Sequence, residues 1–249
     1  MNTFTVSPLG ALPEIAPGDD LGGMVAEAAP GDLAPGDVVC VAHKVVSKAE
    51  GRTTRLEDVA PGPRAEALAR EHGKDARLVE LILSESAQLL RAERGVLIAR
   101  TRHGLVCANA GVDVSNAAPG DAVLLPADAD ASARHLRDRV ASVRDVRPAV
   151  VVSDSFGRAW RLGQTDVAIG AAGLVPLDDW RGRRDAHGRD LHATTIAVAD
   201  AVAAAADLAR AKDAGRPAVL LRGLERFVTA ADGPGARALR RPPEEDLFA

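Results

Sequence analysis

Pro-Gly dipeptides punctuate this chain from end to end, at Pro17-Gly18, Pro30-Gly31, Pro35-Gly36, Pro61-Gly62, Pro119-Gly120 and Pro234-Gly235. Proline fixes one backbone torsion and glycine accepts the left-handed region, so each pair marks a turn. Such a chain folds into many short elements. Its longest apolar run, Ala201–Ala206, is far too short to cross a membrane.

With 249 residues, of which 47% are hydrophobic, the chain can bury a sizeable core as one large domain or two small ones. It has no Tyr and only four Phe, so aliphatic side chains must fill that core. The net charge is −4, and positive and negative residues are interspersed. That is not the footprint of a nucleic-acid binder. Cys40 and Cys107 sit in apolar stretches and read as buried free thiols, not as paired zinc ligands. The N-terminal MNTFTVSPLGALPEI lacks the pattern of a signal peptide, so the expectation is a soluble, cytoplasmic protein without a membrane partner.

Hydrophobic patterning predicts strands at Asp37–Ala42, Gly95–Arg100, Leu105–Ala108, Asp121–Leu125, Ala149–Val152 and Ala218–Leu221. It predicts helices at Arg64–His72, Asp75–Ser86, Ala131–Arg144 and Ala193–Ala211. The order keeps no strict βαβ rhythm. Mixed α/β architecture is therefore expected, with mixed sheets and flanking helices rather than a doubly wound parallel sheet.

No P-loop, dinucleotide fingerprint, nucleophile elbow or HExxH is present, so any nucleotide is held without the common cradles. Three segments concentrate chemistry. In DVVCVAHKVVSKAEG (Asp37–Gly51), a buried strand leads to Lys44 and Lys48. If the chain turns helical there, they share one face and can neutralise phosphate oxygens; a solvated basic face has the same spacing. In NAGVDVSN, Asn109, Asp113, Ser115 and Asn116 offer oxygens suited to a hard divalent cation, or to an Asx-turn loop. In VVVSDSFGRAWRLG, an apolar strand is expected to end at Asp154 and Ser155, with Arg158 and Arg161 close behind. This suits a metal and an anionic substrate, and equally a structural Asp–Arg pair. The arginine-rich segment Asp178–Asp190 reads as a solvated loop or an anion-binding one.

Taken in order, these segments resemble the coenzyme F-420-0:L-glutamate ligase family. The resemblance is carried by LPEI, PGDDL, VSKAEGR, VLIARTRHGLVCANAGVDVSN, SDSFGRAWRLGQTDVAIGAAG, DWRGRRDAHGRDL, ATTIAVADAVAAAADL and PAVLLRGL, which span nearly the whole chain. It implies the F-420 gamma-glutamyl ligase-like fold working as an intertwined homodimer. It implies one such domain over residues 1–249, with a division into two subdomains left open, and without the C-terminal nitroreductase-like domain of some bacterial relatives.

The implied reaction is GTP-dependent addition of L-glutamate to coenzyme F-420-0, then of further γ-linked glutamates, through an acyl phosphate. Asp113, Asp154 and Ser155 fall where the family binds Mg²⁺ or Mn²⁺, with K⁺ a further candidate cation. Leu12, Pro13, Glu14, Ile15, His43, Lys44, Lys48 and Asn116 fall where it holds GTP. So does the loop of Ala209, Arg210, Ala211, Lys212, Asp213, Ala214, Gly215 and Arg216. The expected catalytic groups are Asp154 with Arg158 and Arg161, the arginines gripping the acidic acceptor or glutamate. Two other readings stay open: a related ligase acting on another phosphate-bearing acceptor, and a non-catalytic GTP- or metabolite-binding protein on the same fold.

Overall fold

A computed structural model describes residues 3–211 and 213–246. Its elements run β1 (Thr5–Pro8), α1 (Leu21–Ala28), β2 (Val38–Ala42), α2 (His43–Ala49), β3 (Thr53–Arg55) and α3 (Pro63–His72). They continue with α4 (Ala76–Glu85), β4 (Ser86–Glu93), β5 (Val96–Thr101), β6 (Val106–Ala108), β7 (Asp121–Val123) and α5 (Ala129–Arg144). The remainder is β8 (Ala149–Arg158), β9 (Arg161–Ala172), β10 (Leu177–Asp179), β11 (Thr195–Ala197), α6 (Val198–Ala209) and β12 (Ala218–Arg222).

The main sheet has the order β1-β12-β2-β8-β9. Only β2 and β8 pair in parallel; the other neighbours are antiparallel, so the sheet is mixed, as expected. Strand residues alternate between its faces. Val39, Val41, Val150 and Val152 pack with Leu21 and Val25 of α1 and with Ala133, Leu136 and Val140 of α5. Val38, Cys40, Ala149, Val151, Val219 and Leu221 face Val198, Val202, Ala203 and Ala206 of α6. Burying each such valine or leucine is worth roughly 1.5–3 kcal/mol. With almost no rings to fill the layers, elements approach closely: a Cβ added at Gly170 of β9 would fall 2.1 Å from the Ala129 carbonyl oxygen. A third apolar cluster joins α3 and α4 to Leu97 and Ala99 of the antiparallel sheet β4-β5-β6.

Helix boundaries follow local chemistry. Asp20, Asp75 and Asp128 accept backbone N–H bonds at the starts of α1, α4 and α5. Pro63 opens α3, and Gly73, with φ of 65°, closes it in the left-handed conformation.

Three expectations need correction. The strand predicted at Ala149–Val152 does not end there: it continues to Arg158, because Ser153–Gly157 pair antiparallel with β9. Residues 193–197 do not begin the long helix; Thr195–Ala197 form β11 against β10, and α6 starts at Val198. Ser86, expected as the last residue of a helix, instead opens the strand β4, which runs to Glu93. Both cysteines are buried and free. Among the described residues, no helix is long and apolar enough to cross a membrane.

Candidate active site

Because β2 and β8 run in parallel, the C-terminal end of β2 and the middle of β8 lie side by side and open into one cleft of about 930 Å³. Strand β2 leads directly into α2, which carries His43, Lys44 and Lys48. Strand β8 presents Ser153, Asp154 and Ser155. The 113–118 loop, residues 12–15 and the connection from α6 to β12 complete the wall.

The 109–116 loop is held in an unusual shape. Asn109, Ala110 and Asn116 all have positive φ, near 50–55°. Asparagine tolerates this region; alanine seldom adopts it. Gly111 also has positive φ, and a Cβ there would fall 2.5 Å from Leu125 Cγ. Reciprocal backbone bonds between Asp113 and Val123, of 2.8 and 3.0 Å, then fix the Asp113 backbone.

Lys44 reaches across to that loop. Its Nζ lies 2.7 Å from Asp113 Oδ2 and donates to Ser115 Oγ at 2.6 Å and to the Ser115 carbonyl at 3.1 Å. Burial acts to raise the Asp113 carboxyl, but hydrogen bonds from Lys44 and Ser115 outweigh it, so the group sits below the usual carboxylate range. One helical turn on, Lys48 Nζ lies 2.5 Å from Glu14 Oε1. Leu12 N donates to Gly215 O, which ties the 12–15 segment to the α6–β12 connection.

Asp154 is mostly buried and faces His43, whose Nε2 lies 3.2 Å from Oδ1. The Ser155 backbone N–H donates to the same oxygen at 2.7 Å. Its negative charge, second to burial, helps raise the Cys107 thiol to about 12. Among the described residues, Asp154 forms no ion pair with Arg158 or Arg161: Arg158 Nη2 instead donates to Leu162 O at 2.8 Å. Arg158 and Arg161 lie at the exposed tip of the β8–β9 hairpin, beyond the cleft wall.

The cleft therefore gathers Leu12, Pro13, Glu14, Ile15, His43, Lys44, Lys48, Asp113, Asn116, Asp154, Ser155, Arg210, Ala211, Asp213, Gly215 and Arg216. Ala209 and Ala214 lie beside it without lining it, and Lys212 is outside the described residues. Sequence reading did not single out Ser153, Gln164, Asp166 and Asp207, which also line the cleft. Asp166 carried a usable signal, a lone carboxylate followed by the stretch Val167–Ala172, apolar apart from Gly170. The arginines of residues 178–190 pair mainly within their own segment, Arg181 with Asp179, Arg183 with Asp178 and Arg184 with Asp190. That supports the solvated-loop reading there.

A mixed sheet whose two parallel strands deliver lysines and carboxylates into one polar cleft is a frame for an enzyme that handles anionic substrates. Residues 10–223 match the model of the F420-0:Gamma-glutamyl ligase family. The chain is 45% identical over 248 residues to the coenzyme F420:L-glutamate ligase of Methanopyrus kandleri, covering 99% of this chain and 98% of the relative. It is 42% identical to the protein of that name from Methanothermobacter thermautotrophicus, over 95% of each chain. It is 41% identical to that of Haloarcula marismortui, over 99% and 95%. The chain belongs to the F420-0:gamma-glutamyl ligase family.

Proposed function

We propose that this chain joins L-glutamate to coenzyme F-420-0, and then adds further γ-linked glutamates, using GTP and a divalent cation. The reading rests on family membership together with one observation: Lys44, Lys48, Asp113, Asp154 and Ser155 line a single cleft. A carboxylate is a poor acyl donor because oxide would have to leave. Transfer of a phosphoryl group from GTP gives an acyl phosphate, which the glutamate amine attacks with loss of phosphate. Proteins accelerate phosphoryl transfer mainly by positioning and charge neutralisation.

The donor chemistry fits Mg²⁺ or Mn²⁺. Among the described residues, no three His, Cys, Asp or Glu side chains converge as a metal cluster. A cation would thus take Asp113, Asp154 and Ser155 and complete its shell with water and phosphate oxygens, the habit of Mg²⁺. The Lys44 ammonium, held among oxygens of Asp113 and Ser115, marks a place already shaped for positive charge. When bound, the cation would neutralise phosphate oxygens and orient the transferred group. Lys44 and Lys48 would add fixed positive charge, while residues 12–15 and the α6–β12 connection would enclose the nucleotide.

Arg158 and Arg161 stand on an exposed arm, so gripping the acidic acceptor from there requires a second copy to receive the arm. This favours the homodimer. Incubating the protein with F-420-0, L-glutamate, Mn²⁺ and either GTP or ATP tests the reading by mass spectrometry. The expected product carries one or more added glutamyl residues and forms far faster with GTP. Nucleotide binding with no glutamyl product would overturn it.

A further inference from the structure

We infer that Asp166 is a positioning residue for the cleft, that it sets the direction in which the Ser155 hydroxyl can act, and that Arg210 holds it there. The inference rests on the metal and nucleotide reading of this cleft. Asp166 stands directly opposite Ser155 in the β8–β9 pairing. Its Oδ1 accepts from Ser155 Oγ at 2.6 Å, and its Oδ2 accepts from Ser153 Oγ at 2.8 Å. A hydroxyl has one proton. With that proton committed to Asp166, Ser155 Oγ can offer a cation an oxygen lone pair but has no proton left to give a phosphate oxygen.

Arg210 makes this arrangement possible. Its Nη1 lies 3.1 Å from Asp166 Oδ2 and 3.2 Å from Ser153 Oγ, and Nη2 lies 3.7 Å from Cys40 Sγ. The Asp166 and Arg210 side chains are only 2% and 9% exposed. Burying a carboxylate without a partner is costly, and Arg210 supplies that partner. Paired with Arg210, its carboxylate is held in place as the acceptor beside Ser155.

Stability alone is a poor reason for such a pair, because desolvating both ions offsets most of their attraction. Among the described residues, Arg210 Nε is also left buried without a hydrogen-bond partner. That arrangement has a cost. What it secures is geometry: Arg210, just after α6, fastens the connection to β12 onto the β8–β9 hairpin that presents Asp154 and Ser155. The family resemblance placed Arg210 among the residues that hold GTP. Its guanidinium points at Asp166, and the residue also lines the cleft.

The test measures GDP affinity by calorimetry, once with EDTA and once with Mn²⁺, in the parent, Asp166→Asn, Ser155→Ala and the double variant. Losing a carboxylate that orients a metal ligand typically costs metal affinity about 10–100-fold. Each single variant is therefore expected to lose about tenfold or more of the Mn²⁺-dependent gain, taken as the ratio of its own affinities with Mn²⁺ and with EDTA. The double variant is expected to lose no more than the larger single, because both changes remove one interaction. If Asp166→Asn leaves Arg210 uncompensated and the protein melts early, Asp166→Asn/Arg210→Gln removes the stray charge and is measured the same way. A folded variant at Asp166 with a full Mn²⁺-dependent gain, or additive losses in the double variant, would overturn the inference and leave the site reading standing. A parent with no Mn²⁺-dependent gain would overturn both.

Discussion

Lys44 Nζ and Asp113 Oδ2 lie 2.7 Å apart, joining the first turn of α2 to a loop 69 residues further along the chain. The Asp113 side chain is 42% exposed, so solvent screens the pair and its contribution to stability is under about 1 kcal/mol. Its pH dependence has a definite sign. The folded carboxyl sits below its ordinary value, so on acidification the unfolded chain takes up the proton first. The contact contributes stability above the ordinary carboxylate pKa and loses it as pH falls through the lower folded value. In metal-free melts, Asp113→Asn should be slightly less stable than the parent at neutral pH. The gap should close below about pH 4. A gap that stays constant with pH would show that the contact contributes nothing.

Lys48 and Glu14 form the neighbouring pair, at 2.5 Å, and differ in burial: the lysine side chain is 14% exposed and the glutamate 84%. The glutamate can swing into solvent and leave Lys48 to an incoming phosphate. Lys48→Met keeps the aliphatic stem and removes the charge. The apparent affinity for GTP should fall by roughly 1.5–3 kcal/mol, the scale of a charge-assisted contact, and more at low salt. Glu14→Gln removes the competing carboxylate and should tighten GTP binding. An unchanged Michaelis constant for GTP in both variants would leave Lys48 as a solvated side chain.

The tip of the β8–β9 hairpin exposes Trp160 and Leu162, which are 78% and 98% accessible, beside Arg158 and Arg161. Large apolar side chains held out on an arm are unusual for an isolated subunit and suit burial against a second copy. Light scattering at micromolar concentration should give a dimer mass for the parent and a monomer mass for Trp160→Ser/Leu162→Ser. A fully active monomeric parent would contradict both the dimer and the part assigned to the two arginines.

Much of the main sheet could be read directly. Val38–Ala42 and Ala218–Leu221 are continuous apolar runs, and their burial on both faces leaves few other ways to satisfy them. Lys44, Lys48, Asp113 and Asp154 were legible because each follows such a run or sits in a loop dense in Asn, Asp and Ser. The extension of β8 was not legible. Beyond Val152 the strand turns polar, and from Asp154 onward only pairing with β9, a long-range contact, keeps it extended. The role of Asp166 was hidden for the same reason: its partners Ser155 and Arg210 lie 11 and 44 residues away, and only the hairpin and the end of α6 bring them together. The helix expected from residue 193 failed where Thr194, Thr195 and Ile196 favour the extended backbone that β11 adopts.

Asp154 gives the sharpest test of the site. The backbone there is held by β8 pairing with Val167 of β9, one residue beyond the last β8 residue paired with β2, so a near-isosteric change opens no cavity and leaves the sheet intact. Asp154→Asn keeps shape and hydrogen-bonding capacity, including a partner for His43 Nε2 at 3.2 Å, but removes one negative charge. A cation in the cleft would then be held mainly by Asp113, Ser155 and the nucleotide, and the phosphates would lose an aligned counter-charge. Turnover should fall at least about a hundredfold, the scale seen when one electrostatic stabiliser of a transition state is deleted. The melting temperature should change little, and high Mn²⁺ should restore part of the rate by mass action. If the carboxylate serves only to hold His43 in place, the pattern reverses: earlier melting, modest loss of rate and no response to added metal. A variant that melts early yet turns over almost normally at ordinary Mg²⁺ would remove Asp154 from the metal site.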